Sequence, residues 1–296
     1  MSVHASSHSP LGSPIVVLDS GLGGLTVVRA LRAALPLEQI VYFGDTARLP
    51  YGSKTAGTVQ TFVKQIVAHL LPLNPKHVVI ACNTATALAL PAVRAEFPTL
   101  SISGVIDPGA KAAVMAAGAK AVPVIGVMAT EATVKSKAYE RAIHRRRSHA
   151  KLLLRPAPLL VPIIEEGRLR EDPLVRLALR QYLKPLMDRG LDVLVLGCTH
   201  YPILKDEITA IVGPSVRVID SAEQCAADVA RRLQARGLRR AEEPAGVPFK
   251  CFVTDDPDRF ARLGSRFLGV QIEPPTLVSP DDLYATPGLA PVRVAG

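Results

Sequence analysis

Two cysteines stand where short apolar runs meet small-residue turns. In VVIACNTATALAL, Cys82 closes an apolar run and opens a stretch rich in Ala and Thr, which places its thiol beside the free N–H groups of a helix's first turn. Such a position favours the thiolate and lowers the ordinary thiol pKa of about 8.5 toward neutrality. In DVLVLGCTHYPIL, Gly197 permits close approach, Thr199 offers a hydroxyl, and His200 brings an acid/base group two residues from Cys198. Two thiols without a metal pattern can form a redox pair, a nucleophile with a spectator, or two acid/base groups on opposite sides of one carbon. A dithiol redox site usually shows CxxC spacing. A cysteine hydrolase needs a histidine turned toward its sulfur, and near neighbours along one strand end, such as Cys198 and His200, rarely face each other. The third option uses both sulfurs, one as thiolate base and the other as thiol acid. Cys225, in a helical stretch, and Cys251, in a strand, read as core residues.

A third segment, IVVLDSGLGGLTVVRAL, sets Gly21, Gly23 and Gly24 between a strand and a helix, a pattern that suggests an anion held by backbone N–H groups, although a structural tight turn explains the glycines equally. It is neither a GxGxxG nor a P-loop, which would end in GKS or GKT. Asp19 at the strand end would be partly buried, and a buried carboxylate needs a partner or a chemical role.

These residues must be positioned by elements, and the pattern supplies them. Short Val/Ile/Leu runs alternate with stretches of helical periodicity, which argues for parallel strands joined by crossover helices. Strands are expected over 15–18, 40–43, 77–81, 101–105, 124–128, 151–154, 193–196, 216–219 and 250–253. Helices are expected over 25–35, 55–71, 85–96, 109–117, 133–146, 174–189 and 222–236. Asp19, Cys82 and Cys198 each follow a strand, where open parallel sheets place ligands, so they read as one site assembled from distant segments. The two cysteine motifs, each joining an apolar strand to a Thr-containing turn, hint at duplication.

Composition bounds the remainder. A chain of 296 residues with 48% apolar and 21% charged residues can bury a core without disulfide or metal staples. Four scattered cysteines show no CxxC pair and no histidine cluster at ligand spacing, so no metal site is expected. The longest apolar stretches, such as 121–129, fall short of the roughly 18 residues a membrane helix needs. The opening MSVHASSHSPLGSP lacks a basic start and an apolar core, so residues 1–13 read as a flexible extension and the protein as cytoplasmic. The net charge of +9 is concentrated in Arg145–Arg147 and in RRLQARGLRR. With 4% aromatic residues and no Trp, nucleic acid is not expected as the primary partner.

As a set, these motifs resemble the glutamate racemases of the cofactor-independent aspartate/glutamate racemase superfamily. The matching stretches are Asp19-Ser20-Gly21-Leu22-Gly23-Gly24, Gly44-Asp45-Thr46 with Leu49-Pro50-Tyr51-Gly52, Ala81-Cys82-Asn83-Thr84-Ala85, Val105-Ile106-Asp107-Pro108-Gly109, and Gly197-Cys198-Thr199-His200-Tyr201-Pro202. The resemblance implies two similar α/β domains with mainly parallel sheets and the active site in the interdomain cleft. The first would comprise 14–105 plus 216–273 and the second 106–215, leaving 274–296 as a poorly specified tail. It implies that Cys82 and Cys198 are the two bases, Cys198 acting on L-glutamate and Cys82 on D-glutamate. Asp19 would assist Cys82, while His200 would assist Cys198 together with Glu165, whose neighbour Glu166 competes for that place. Substrate contacts would come from Asp19, Ser20, Tyr51, Gly52, Asn83, Thr84, Thr199 and His200, with Thr130 beside them. Asp107 stands where the family more often has Glu.

The same resemblance implies interconversion of L- and D-glutamate without a cofactor, supply of D-glutamate for peptidoglycan, and a homodimer with no membrane attachment. Two fixed thiols suit the reaction because each can remove a proton from one face of Cα and return one to the other. Two other readings stay beside it. One is an aspartate or related amino-acid racemase, although aspartate-type relatives carry Glu where this chain has His200. The other, from a different class, is a basic nucleic-acid-associated binding protein.

Overall fold

Parallel strands are buried on both faces, so continuous Val/Ile/Leu runs become strands without alternation. The computed structural model describes residues 10–169, 171–242 and 249–284. The chain begins with β1 (Ile15–Asp19), α1 (Leu25–Ala34), β2 (Ile40–Gly44), α2 (Ala56–Leu70), β3 (His77–Ile80), α3 (Asn83–Glu96) and β4 (Ile102–Gly104). Next come α4 (Ile106–Ala116), β5 (Val124–Ala129), α5 (Glu131–Lys135), α6 (Ala138–His144), β6 (Lys151–Pro156), α7 (Leu160–Glu165), α8 (Pro173–Met187), β7 (Val193–Gly197), α9 (Lys205–Val212) and β8 (Arg217–Asp220). Helix α10 (Ser221–Ala235) then leads to β9 (Phe249–Val253), α11 (Pro257–Leu268), β10 (Thr276–Leu277) and α12 (Pro280–Tyr284).

All strand pairs are parallel, in two sheets ordered β10-β9-β2-β1-β3-β4 and β6-β5-β7-β8. The protein is thus an α/β molecule of two parallel-sheet halves. One buried cluster runs from Ile15 and Tyr42 of the first sheet to Leu194 and Leu196 of the second. Register aligns the functional ends: Asp19 pairs with Gly44, Leu18 with Ile80, and Ala129 with Gly197. The residues that follow these strands therefore emerge together at the carboxyl edges of the sheets.

Several expectations change. The segment 216–219 was expected to open the return to the first half, but β8 pairs with β7, as sequential strands joined by one crossover helix commonly do. The return begins with α10 and is completed by β9 against β2. The single helix expected over 133–146 is broken at Lys137, whose φ of 55° lies in the left-handed region, into α5 and α6. The tail from 274 is ordered as far as 284, because Thr276 and Leu277 pair with β9 and α12 buries Leu283 in the core. Residues 285–296 of that tail, and 1–9 of the extension, lie outside the described residues. At 10–13 the chain is tied down: the Leu11 carbonyl accepts from Lys76 Nζ at 3.0 Å and the Gly12 carbonyl from Arg240 Nη2 at 2.7 Å. Among the described residues no helix is long and apolar enough to cross a membrane.

The basic runs are largely engaged by the chain itself. Arg145 and Arg146 pair with Asp107 at 3.1 and 2.7 Å, Arg147 donates to the carbonyls of Gly118 and Lys120, and Arg231 and Arg232 pair with Asp228. Asp107 thus serves as an ion-pair partner on the surface.

Candidate active site

Strand β3 delivers Cys82 to the first turn of α3, where it is the N-cap and its Sγ accepts the Ala85 N–H at 3.4 Å. The lowered thiol pKa expected from this position does not hold. Burial, reinforced by the charge of Asp19, outweighs the Ala85 N–H and the Ser20 hydroxyl and pushes Cys82 up to about 12. A single N–H···S contact is worth less than the water a buried thiolate loses.

On the other wall, β7 delivers Cys198, and the short turn Tyr201–Leu204 that follows folds His200 back toward it. His200 Nδ1 lies 3.8 Å from Cys198 Sγ, so these neighbours do face each other, contrary to the expectation for a strand end. His200 Nε2 meets Glu165 Oε1 at 3.0 Å. Burial works against an imidazolium here. The hydrogen bonds to Cys198 and Glu165, with the charges of both, overcome it and raise His200 to about 10. The geometry selects Glu165 for this contact, while Glu166 lines the cavity without it.

Asp19, 1% exposed, sits behind the wall rather than on it. Its Oδ2 accepts the Gly21 N–H at 3.0 Å, and Thr199 Oγ1 donates to Oδ1 at 3.5 Å. Burial raises the pKa of this carboxyl, opposed by the charge of His200 and the N–H groups of Gly21 and Gly24. The anion held by the glycine loop is therefore the chain's own. Gly23 serves another purpose. A Cβ there would lie 2.3 Å from Thr199 Oγ1 and 2.5 Å from His200 Nδ1, so the loop after β1 touches the loop after β7 only because no side chain intervenes.

Both cysteines line one cavity of about 420 Å³, within the size range of small-molecule sites. Ser20, Tyr51, Gly52, Asn83, Thr84, Thr199 and His200 share its wall, as does Thr130. Asn83 Oδ1 accepts from Tyr139 at 2.8 Å, whereas among the described residues its buried Nδ2 has no partner. Thr84 and Thr130 hydroxyls meet at 2.9 Å across the two halves. Tyr51 gives its hydroxyl to Asp45, which also binds Arg48 Nε at 2.8 Å, so the ring rather than the phenol is left for the cavity. Two further wall residues, Glu131 and Arg259, the latter from α11, carry no motif that would single them out in the sequence.

The Asp/Glu/Hydantoin racemase family model matches residues 25–229, from α1 through most of α10 and so both thiol motifs. The chain belongs to that family. A glutamate racemase of Neisseria meningitidis serogroup A is 46% identical over 266 residues, covering 90% of this chain and 96% of the relative. Among solved structures, a glutamate racemase isoform of Bacillus anthracis superposes with a TM-score of 0.83 at 37% identity, covering 90% of this chain and 97% of that one. A glutamate racemase of Francisella tularensis, solved in complex with D-glutamate, gives 0.82 at 35% identity, covering 91% and 98%. This racemase-family chain is accordingly an isomerase.

Proposed function

We propose that the protein interconverts L- and D-glutamate by two-base proton transfer at Cα, with Cys82 and Cys198 as the acid/base pair. The observation that carries the reading is that two thiols from equivalent strand ends of two sheets line a single cavity. In this reading Cys198 faces the His200 imidazolium, whose ring Glu165 holds. Cys198 takes the Cα proton of L-glutamate. Cys82, kept protonated by burial, gives its proton to the opposite face of the carbanion, leaving D-glutamate; the reverse reaction exchanges the roles. Asn83 Nδ2 and the hydroxyls of Ser20, Thr84 and Thr199 would hold the substrate's polar groups, and Asp19 would act on Cys82 and Thr199 from behind the wall. Exclusion of water strengthens these interactions while the carbanion develops. We place the domain division at the sheet boundary, with residues 106–220 as the second domain. Homodimer assembly, cytoplasmic location and the supply of D-glutamate to peptidoglycan are carried by the likeness to glutamate racemases.

The test is chiral analysis of purified protein with L-glutamate or L-aspartate and no added cofactor. D-glutamate should accumulate to equality with the L form, and either Cys82→Ala or Cys198→Ala should abolish net inversion. Preferential inversion of aspartate, or near-normal turnover by either variant, overturns the proposal.

A further inference from the structure

The cavity wall carries the carboxylates Glu131, Glu165 and Glu166, of which Glu131 pairs with Lys135 at 3.4 Å and Glu165 with His200 at 3.0 Å, and the substrate proposed for it is itself a dicarboxylate. Like charges at a mouth of low polarity repel an anion before any hydrogen bond can form. Among the described residues one lysine or arginine lines this cavity, Arg259. It stands in the first turn of α11, and its backbone N–H is taken by Asp256 Oδ1 at 3.0 Å. Its side chain is exposed, and among the described residues its guanidinium makes no hydrogen bond or ion pair. Arg259 also lines a smaller adjoining cavity of about 90 Å³ with Asp255, Asp256 and Glu165, so it stands between the two cavities.

We propose that Arg259 is the specificity residue at the mouth, drawing a dicarboxylate past the acidic rim and holding its distal carboxylate until the inner hydroxyl and amide groups engage. It rests on the glutamate reading above. Arg259 touches neither sulfur in any contact found in the structure, so its effect belongs to capture rather than to proton transfer. An exposed guanidinium, rather than a buried cation, also lets product leave without breaking a buried ion pair.

The experiment compares wild type, Arg259→Gln, Arg259→Lys and Arg259→Glu on L-glutamate at about 20 and 300 mM salt, where screening is weak and strong respectively. In Arg259→Gln, KM should rise about three- to tenfold at low salt with kcat changed by less than about twofold, and the loss of kcat/KM with added salt should flatten. Arg259→Lys should recover most of the low-salt kcat/KM, and Arg259→Glu should fall below Arg259→Gln. An unchanged KM and salt slope in Arg259→Gln overturns the proposal. So does a fall in kcat at constant KM, or a loss that Lys does not restore. Wild-type inversion of glutamate is measured in the same series, so failure of the underlying activity shows as an inactive wild type and is distinct from failure of Arg259's role.

Discussion

Gly23→Ala inserts one methyl group between the two halves of the site, and its consequence can be worked from the geometry. The new Cβ would lie 2.3 Å from Thr199 Oγ1 and 2.5 Å from His200 Nδ1. Ordinary contact is about 3.5 Å, so one wall must retreat by about 1 Å. The histidine cannot simply turn aside, since its far nitrogen is held by Glu165 at 3.0 Å and its ring packs edge-on to Phe267 at 5.6 Å between centroids. Gly23 is not among the positive-φ residues, so the alanine backbone itself is tolerated and the effect is steric. A misplacement of about 1 Å costs up to about 100-fold in rate, whereas overpacking costs about 1–3 kcal/mol in stability. Gly57→Ala is the control: nothing lies within 4 Å of its would-be Cβ, and it sits on the exposed first turn of α2. That change should stabilise by up to about 1 kcal/mol and leave the rate intact. Initial rates on L-glutamate, with thermal melting to show that the variant is folded, decide the matter. A Gly23→Ala enzyme with wild-type kcat would refute the claim that contact between the two loops sets the acid/base geometry.

In D₂O, single-cysteine variants should separate exchange from inversion: Cys82→Ala should wash deuterium into L-glutamate without forming D-glutamate, and Cys198→Ala should do so in D-glutamate; exchange into the wrong enantiomer reverses the assignment of sulfurs. Glu165→Gln removes a charge that raises His200, so the His200 pKa should move down from about 10 and the alkaline limb of the rate profile should move to lower pH with it. Glu166→Gln, which lacks the contact, should leave that limb in place. His77, between Ser101 and Ser103 hydroxyls at 2.8 Å, is pushed down to about 4 by burial first and by Arg232 and Arg236 next. Its folded value lies below its ordinary one of about 6.5, so its contribution to stability is whole above pH 6.5 and is lost as pH falls toward 4, about 3 kcal/mol in all. Urea midpoints measured across that window should fall steeply for wild type and less so for His77→Asn; equal slopes would show that another group drives the acid loss.

The parts of this architecture that were legible are those whose signal is continuous. Strands β1, β3 and β7 are buried throughout, so uninterrupted apolar runs announce them, and the residues closing those runs announce the site. Helix α11 lies outside the expected helices although PDRFARLGSRFL carries helix signals, with Pro257 at its first position and Phe260, Leu263, Phe267 and Leu268 spaced along one buried face, and with that helix went Arg259. The break at Lys137 carries no Gly or Pro to mark it. The facing of Cys198 and His200 depends on the turn after them, and the resting state of Cys82 depends on how little water reaches it; neither quantity is local in sequence. The glycines of the first loop were visible as glycines, but their reason was a neighbour from the other sheet.

The surroundings of the two thiols are unlike: Cys82 caps a helix beside a buried carboxylate, and Cys198 faces a histidine held by a second carboxylate. So unsymmetrical a site invites the expectation that it favours one direction. L- and D-glutamate, however, have the same free energy in water, so kcat/KM must be equal for the two at any pH and for any variant that still inverts Cα. In the proposed two-base reaction the asymmetry of the protein can reach only kcat and KM separately, through the fraction of enzyme that holds its proton on the sulfur required by the incoming enantiomer. Glu165→Gln, which disturbs the surroundings of Cys198 more directly than those of Cys82, should therefore shift kcat and KM of each direction by unequal amounts while their ratios remain matched. Initial rates from each pure enantiomer far below KM provide the measurement. Unequal slopes there would mean that the product is not the mirror image of the substrate, and no arrangement of two bases about one stereocentre could rescue the assignment.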